Sequence, residues 1–564
     1  MSAERPEAAA GAPDIGFNLA AIQEGIAAQI PERECIVVRD RRITWRAFTE
    51  RTRRLANYLR GRGFGCRVDR ASLRNWESGQ DHLGLYLHNG NEYLEGMLGA
   101  YKARVAPFNV NYRYVEDELL YLLGNADATA LVYHARFAPV LANILPRLPR
   151  LTTLLQVADE SGNVLLPGAV DYEAALAGAD ASQPDLAWSP DDLYILYTGG
   201  TTGMPKGVLW RQEDIFFGAL GGHNPGGDRV RSVAAMAEQA KAGSLRTLPA
   251  PPFMHGAAHW VAFNTLHQGG TVVIQAQPDR LDAADVWDTI ARERVNLLCI
   301  VGDGFGRPLL DELERRPRTL PEFRFILSGG AILTPALKEG LLRQLPHILL
   351  IDGFGASETG GHGQQLTTAG QKASSGSFRM NDETLVLKHD LSGPLEPGSP
   401  DQGWLARVGH VPLGYYRDPH KTEQTFPVID GTRYAVPGDH ATVAADGAIT
   451  VLGRGSVSIN TGGEKVYPEE VEQVLKTHPL VYDAVVVGTP NERWGQQVNA
   501  IVQLRDGARV AADELRAFAG QHLARYKLPK EIFFVDRVQR SPSGKADYRW
   551  AKAHALAALE AARA

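Results

Sequence analysis

The sequence predicts an α/β protein in two parts: a long N-terminal part of mostly parallel sheet covered by helices, and a compact α+β part after residue 454. Three observations lead there. Strand-like apolar runs alternate with amphipathic helical runs from about residue 16 to 352. From about 385 to 452 the pattern changes to short strands with Gly and Pro turns, the texture of a smaller all-β unit. After Gly453-Arg454-Gly455 it changes again, to a few helices and strands in short order.

Residues 1–15 carry no periodic apolar pattern and read as a disordered lead. RRITWRAFTERTRRLANYLRGRG then moves from a short strand into an amphipathic helix that stops at glycine. HLGLYLHNGNEYLEGMLGAYKARV reads as strand, loop and helix, and LVYHARFAPVLANIL repeats that unit. LYILYT is a strand that runs into a Gly- and Thr-rich loop and a second apolar segment. TVVI, LLCIV, RFILS and ILLID supply further strands between helical runs. TLVLKHD, GWLARVG and GAITVLG are the short strands of the β-rich unit. In the last part, PEEVEQVLKTH and ADELRAFAGQHL are helices, AVVVG, NAIVQL and EIFFV are strands, and the Ala-rich tail is a helix.

Composition narrows the function classes. The 564 residues are 44% hydrophobic and 22% charged, with a formal net charge of -6, which gives no general attraction to nucleic acid or anionic membrane. The three cysteines, Cys35, Cys66 and Cys299, have no metal-ligand spacing and suit a reducing cytoplasm. The first residues lack the apolar core of a secretory signal, and no apolar run is long enough to span a bilayer, so at most peripheral membrane contact is expected. Zinc-protease, thioredoxin-type and α/β-hydrolase motifs are missing. Gly302-Asp-Gly-Phe-Gly306 looks like part of a dinucleotide fingerprint but lacks its last glycine and its acidic partner.

Four segments carry chemistry. Tyr197-Thr-Gly-Gly-Thr-Thr-Gly-Met-Pro-Lys-Gly-Val208 places Gly199, Gly200 and Gly203 where backbone N–H groups can approach an anion, with hydroxyls from Thr198, Thr201 and Thr202 and the charge of Lys206. Gly and Thr alone also suit a solvated linker; the Pro-Lys-Gly-Val that follows favours a polyphosphate cradle. Asp352-Gly-Phe-Gly-Ala-Ser-Glu-Thr359 follows an apolar strand, where α/β sheets bind ligands. There Phe354 can stack on a base and Glu358 can take Mg²⁺. Ser328-Gly-Gly-Ala-Ile332 follows another strand and can lie flat against a purine, although each of these two turns alone also suits an ordinary tight turn. Asp439, Arg454 and the run Asn460-Thr-Gly-Gly-Glu-Lys form the third segment, in which an Asp can hold both hydroxyls of a ribose and an Arg can reinforce it. Ser541-Pro-Ser-Gly-Lys545 is the fourth, a turn that can deliver one cation to developing negative charge.

In this order and spacing the segments resemble the ANL superfamily of adenylate-forming enzymes, over about residues 16 to 550. GLYLHNGNEYLEGML, NVNYRY, DGFGASETGG and INTGGEKVYPEEVE are further similar to bacterial fatty-acid and sterol side-chain CoA ligases. The resemblance implies a large N-terminal domain, 16–454, of two mostly parallel sheets plus a small β-barrel at about 385–452, and a small mobile α+β lid, 455–564. It implies that Thr198, Gly199, Gly200, Thr201, Thr202, Gly203 and Lys206 hold the phosphates of ATP. Gly329, Gly330, Ala331, Asp352, Gly353 and Phe354 would hold adenine, Gly355 and Ser357 would be further nucleotide-binding residues, and Asp439 and Arg454 would hold the ribose. Glu358 and Thr202 would place Mg²⁺. Lys545 would bridge carboxylate and α-phosphate, and Gly462 and Gly463 would replace it once the lid rotates. His255 matches a position lining the acyl or CoA side, though a lone His serves packing as readily, and Gly304 lies in the small-residue stretch 299–306 that widens an apolar pocket. Two positions depart from the family pattern: Val436-Pro437-Gly438-Asp439 replaces Arg-Thr-Gly-Asp, and Ser456 stands where the hinge usually has Asp or Lys.

The reaction this implies is ATP-dependent activation of a medium- or long-chain fatty acid or a sterol side-chain carboxylate, followed by transfer to coenzyme A. Small molecules are then its partners, with room for a homodimer. A free-standing adenylation enzyme that loads a carrier protein and a nucleotide sensor without catalysis are the competing readings.

Overall fold

Apolar runs bounded by glycine and polar turns become the strands of three sheets in the computed structural model. The structure describes residues 16–563 except 199–203, 224–226, 244, 376, 455–457, 462–463, 492–493 and 542–543. The expected disordered lead, the heart of the Gly/Thr loop, the hinge at Ser456 and the Gly462-Gly463 pair therefore lie outside the described residues.

The first sheet has thirteen strands. Its centre is parallel: Glu34–Val38, Thr271–Ile274, Arg246–Pro249, Leu297–Ile300, Phe325–Gly329 and Leu349–Ala356 lie side by side. Beyond Leu349–Ala356 every pairing whose sense is defined is antiparallel, through Gly360–Thr367, Ser377–Met380, Ile449–Arg454, Asp439–Val443, Gly403–Arg407 and Thr384–Leu387. This corrects the expected small β-barrel. The resemblance implies that the short strands of 385–452 close on themselves; instead they extend the edge of the first sheet, and among the described residues no closed barrel forms. The physical reason is the pairing of Gly360–Thr367 with both Leu349–Ala356 and Ser377–Met380, which gives the β-rich unit an edge to continue from.

The second sheet has eight strands, parallel from Leu193–Thr198 through Ala106–Asn109, His82–Tyr86, Ala128–His134 and Thr153–Val157 to Ala169–Asp171. Lys206–Arg211 and Gly414–Tyr415 close its other edge antiparallel. One apolar cluster draws on both sheets, taking Ile36 and Val272 from the first and Leu83 and Leu85 from the second. Helices fill the space between. In Trp45–Gly61, Trp45, Phe48, Leu55 and Leu59 recur at helical spacing and are buried, and the Thr44 hydroxyl accepts from Ala47 N at 3.2 Å to cap the start. Asn91–Lys102 packs so closely on it that a methyl group at Gly99 would lie 2.7 Å from the Leu55 side chain.

The third sheet lies after residue 458. Gly495–Leu504 pairs antiparallel with Val481–Asn491 and Ile459–Thr461, and parallel with Glu531–Val535. Helices Pro468–Lys476 and Ala512–Gly520 contribute Val471, Leu475, Leu515 and Ala519 to its separate apolar core. The chain ends in Tyr548–Arg563, longer than the Ala-rich tail alone. No helix of the described residues is long and apolar enough to cross a membrane.

Candidate active site

A cavity of about 560 Å³ opens at the carboxyl ends of the parallel strands, where loops rather than side-chain ladders meet solvent. Strands Phe325–Gly329 and Leu349–Ala356 run in register, Ser328 beside Asp352 and Gly329 beside Gly353. Gly329, Gly330 and Gly353 thus form a shelf without side chains on one wall, and Phe354, Gly355 and Ser357 continue it. Gly330 has φ +81, a conformation glycine adopts without strain. Trp210 Nε1–H donates to the Ser357 carbonyl at 3.0 Å and ties this wall to the second sheet.

The second wall begins with Leu196, Tyr197 and Thr198. Two buried asparagines, neither of them a candidate from the sequence, build it. Asn109 donates to the carbonyls of Tyr197 at 2.8 Å and Met254 at 2.7 Å and accepts from Tyr197 N at 2.7 Å. Asn89 donates to the Pro251 carbonyl at 2.9 Å and accepts from Phe253 N at 2.6 Å. They pin the segment that carries His255 to the ends of second-sheet strands. An Asn placed just after an apolar run was the available signal, since its amide can satisfy loop backbone that a strand no longer pairs.

His255 lines the cavity at the start of helix Gly256–His267. Burial, followed by the nearby Lys545 charge, pushes its pKa down to about 3, so the ring is neutral. Its Nε2 is shielded from solvent and bonds to no described residue. One helical turn on, Trp260 also faces the cavity, and sequence reasoning assigned it no role. Its Nε1–H donates to the Tyr194 hydroxyl oxygen at 2.8 Å. The Tyr194 hydroxyl in turn bonds His259 Nε2, and His259 Nδ1 bonds the Phe253 carbonyl at 2.6 Å. A carbonyl only accepts, so Nδ1 carries the proton and Nε2 accepts from Tyr194. Burial, which lowers the His259 pKa to about 4, keeps that neutral form.

Lys545 enters from the C-terminal part. Ser541 N–H donates to the Lys545 carbonyl at 2.8 Å and Gly544 N–H to the Ser541 carbonyl at 2.8 Å, which closes a tight turn with Gly544 at φ +77. The turn sits on residues 301–305: a methyl group at Gly544 would lie 3.0 Å from the Val301 carbonyl. Lys545 lines the cavity, and a methyl group at Gly330 would lie 3.6 Å from its Cε. Tyr548 and Arg549, which the sequence reading passed over, line it as well.

The structure therefore brings Thr198, His255, Gly329, Gly330, Gly353, Phe354, Gly355, Ser357 and Lys545 to one cavity. Other candidates lie beside it. Glu358 accepts from the Tyr415 hydroxyl at 3.1 Å, and Lys206 lies 5.3 Å from the centre of the same ring and 3.7 Å from Asp418. Asp439 is 9% exposed and pairs across the antiparallel ladder with the backbone of Arg454. Ala331 lies beside Gly302, where a methyl group would meet its Cβ at 2.8 Å. The Asp352 carboxylate turns instead to Lys338, because strand alternation aims it at the helix Pro335–Gln344. Gly304 faces the 541–545 turn: a methyl there would meet the Gly544 carbonyl at 3.0 Å. Gly199, Gly200, Thr201, Thr202, Gly203, Gly462 and Gly463 are outside the described residues, as is the side chain of Arg454.

Residues 24–416 fit the AMP-binding enzyme family and 470–545 the AMP-binding enzyme C-terminal domain. A medium-chain acyl-CoA ligase, Mig, of Mycobacterium avium is 53% identical over 542 residues, 96% of this chain and 98% of that one. A 3-oxocholest-4-en-26-oate–CoA ligase of Rhodococcus rhodochrous is 42% identical, over 95% of this chain and 96% of that one. The crystal structure of ATP-bound MatB from Rhodopseudomonas palustris shares the fold, with a TM-score of 0.78 at 22% identity over 95% of this chain and 99% of that one. A full-length likeness of this strength, on a chain whose glycine shelf, neutral histidine and C-terminal lysine share one cavity, places it in the AMP-binding enzyme family, among the acyl-CoA ligases.

Proposed function

We propose that this chain activates a medium-chain aliphatic carboxylic acid as its adenylate and passes the acyl group to coenzyme A, releasing AMP and pyrophosphate. The observation that carries the reading is the placement of Lys545, from the C-terminal part, against the Gly330 shelf of the N-terminal part. An ammonium beside a side-chain-free shelf suits a reaction in which negative charge spreads over phosphate oxygens.

In this reading Gly329, Gly330, Ala331, Gly353, Phe354, Gly355 and Ser357 receive the adenine, and Asp439 with Arg454 takes the ribose. Thr198 through Lys206 cradles the β- and γ-phosphates. The acid lies along the Trp260 side, and its carboxylate oxygen attacks the α-phosphorus as pyrophosphate leaves. Lys545 holds the carboxylate and α-phosphate together, so the two reactants meet without mutual repulsion. The neutral His255 presents no second cation that would compete with Lys545. The thiol of coenzyme A then attacks the acyl carbonyl, and AMP leaves. For that step a pivot between 454 and 457 would withdraw Lys545 and bring Gly462 and Gly463 to the site. Magnesium fits the residues: Glu358 offers a hard carboxylate oxygen, and among the described residues no group of three His, Cys, Asp or Glu forms a full cage. An ion that keeps water and phosphate ligands needs no more, and it would neutralise phosphate charge there, with Thr202 as a further oxygen donor. We place the enzyme in the cytoplasm, where Cys35, Cys66 and Cys299 stay reduced.

The choice of medium-chain acids rests on the cavity and on the relative named for them. In this reading the nucleotide and the acid share a cavity of about 560 Å³, and Trp260, which lines it, would wall the acid side. The test is pyrophosphate release with a panel of aliphatic and sterol acids, followed by mass detection of the acyl-CoA. Release and thioester formation, greatest with medium-chain acids, are expected. Release without acyl-CoA would point to carrier loading, and ATP binding without release to a sensor.

A further inference from the structure

The Ser541–Lys545 turn is held by a row of alternating charges that crosses from one part of the chain to the other. Asp303, in helix Gly302–Arg315, has one carboxylate oxygen 3.8 Å from the Lys476 ammonium. Lys476, the last residue of helix Pro468–Lys476, also lies 3.7 Å from Asp483. Asp483 accepts both arms of the Arg540 guanidinium, at 2.7 and 2.6 Å. The third nitrogen of Arg540 donates to the Gly544 carbonyl at 3.0 Å, one residue before Lys545. All four side chains are shielded, between 8% and 15% exposed, so water screens the row weakly.

Only the Asp303 end belongs to the N-terminal part; Lys476, Asp483 and Arg540 belong to the C-terminal part. Gly304, the next residue, is the position whose added methyl would strike the Gly544 carbonyl and the Arg540 side chain. Charge and shape therefore meet on the same turn of helix. We propose that Asp303 is a positioning residue for adenylation: through Lys476, Asp483 and Arg540 it seats the turn that delivers Lys545, and it has no part in thioester formation. The inference rests on the reading that Lys545 serves the first half-reaction.

The second oxygen of Asp303 accepts from Thr334 N at 2.8 Å, a bond within the N-terminal part. Asp303→Asn keeps that acceptor and removes the charge facing Lys476, so it separates the two roles. Acid-dependent pyrophosphate exchange should fall about three- to tenfold in Asp303→Asn and in Lys476→Met, the range of modest coupling between sites. Thioester formation from supplied acyl-adenylate and coenzyme A should be unchanged or faster, and the melting temperature of Asp303→Asn unchanged. The double variant should lose no more than Lys476→Met alone, because each removes the same contact. Arg540→Lys, which keeps charge but loses the fork, should show the same one-sided loss should either other variant fold poorly. Additive losses, equal losses in both half-reactions, or no loss in Asp303→Asn would overturn the proposal. Lys545→Ala, measured alongside, separates the two failures. If it spares adenylation, the underlying reading falls. If it abolishes adenylation while Asp303→Asn is silent, only the positioning role falls.

Discussion

The ammonium of Lys338 lies 2.9 Å from an Asp352 carboxylate oxygen, with the lysine side chain wholly buried. It also donates to Gln365 Oε1 and to the Ser374 carbonyl, each at 2.7 Å. Burial raises the Asp352 pKa and Lys338 opposes that rise. The pair anchors the strand that carries Gly353 and Phe354. Lys338→Met would leave a buried carboxylate without its cation, a change that costs about 3–5 kcal/mol. We expect a matching loss in urea unfolding and a higher KM for ATP, with the KM for the acid little altered. A variant as stable as the parent would show that the pair does not support the strand.

Trp260 sets the second prediction. Its ring is held by the bond to Tyr194, which is itself fixed by His259. Trp260→Ala removes that wall. The ratio of kcat/KM for long-chain or ring-bearing acids over medium-chain acids should rise by about tenfold or more. The ATP requirement should stay as it was. An unchanged ratio across the acid panel would remove Trp260 from the acid side.

Glu358 gives the third. Glutamine at this position keeps an acceptor for Tyr415 but loses the charge a hard cation needs. The magnesium concentration for half-maximal pyrophosphate release should rise on the order of tenfold. Superimposable magnesium titrations of the two proteins would deny Glu358 a metal role.

The fourth concerns acid. Burial depresses His255 and His362 to about 3, and His88, His134, His259 and His267 to about 4. In the unfolded chain each returns to about 6.5, so the unfolded state binds the extra protons. Their contribution is therefore fully present above about pH 6.5 and is lost as the pH falls through that value toward about 4 for four of the rings and about 3 for His255 and His362. The urea midpoint should decline through that window. A flat profile from pH 7 to about 4.5 would contradict the burial of these rings.

Adenylation without Lys545 is the fifth. Lys545→Ala should slow pyrophosphate release by about a hundred- to a thousandfold, the usual cost of one charge-stabilising donor. Thioester formation from supplied acyl-adenylate should persist. Equal losses in the two half-reactions would remove Lys545 from the first.

Local pattern was enough for many elements. LYILYT, TVVI and EIFFV are apolar runs that become the strands Leu193–Thr198, Thr271–Ile274 and Glu531–Val535. Glycine-rich turns after strands marked the cavity shelf for the same reason: a glycine leaves backbone open wherever the chain puts it. What stayed hidden depends on partners distant in sequence. Lys338 stands on the same helix face as Leu341 and Leu342, and a lysine within an apolar stripe does signal a buried partner, but the stripe does not name Asp352. Asn89 and Asn109 act on residues more than eighty positions away. The barrel failed because short strands with tight turns fit a closed sheet and a sheet extension equally. Only the pairing of Ser377–Met380 with Gly360–Thr367 decides between them.

The cavity draws its two sides from different sources. The flat side is strand-end backbone of the first sheet, set by register, while the Trp260 side is the face of one helix, Gly256–His267, set by side chains. On the proposed reading, substitutions on that helix would reshape what the protein accepts without disturbing the backbone that couples it to ATP. Such a division would let a lineage diversify its diet of acids while its energy-coupling half stays constant. A library confined to residues 256–264 would be the economical place to select new acids, since few of its members would be lost to failed nucleotide handling.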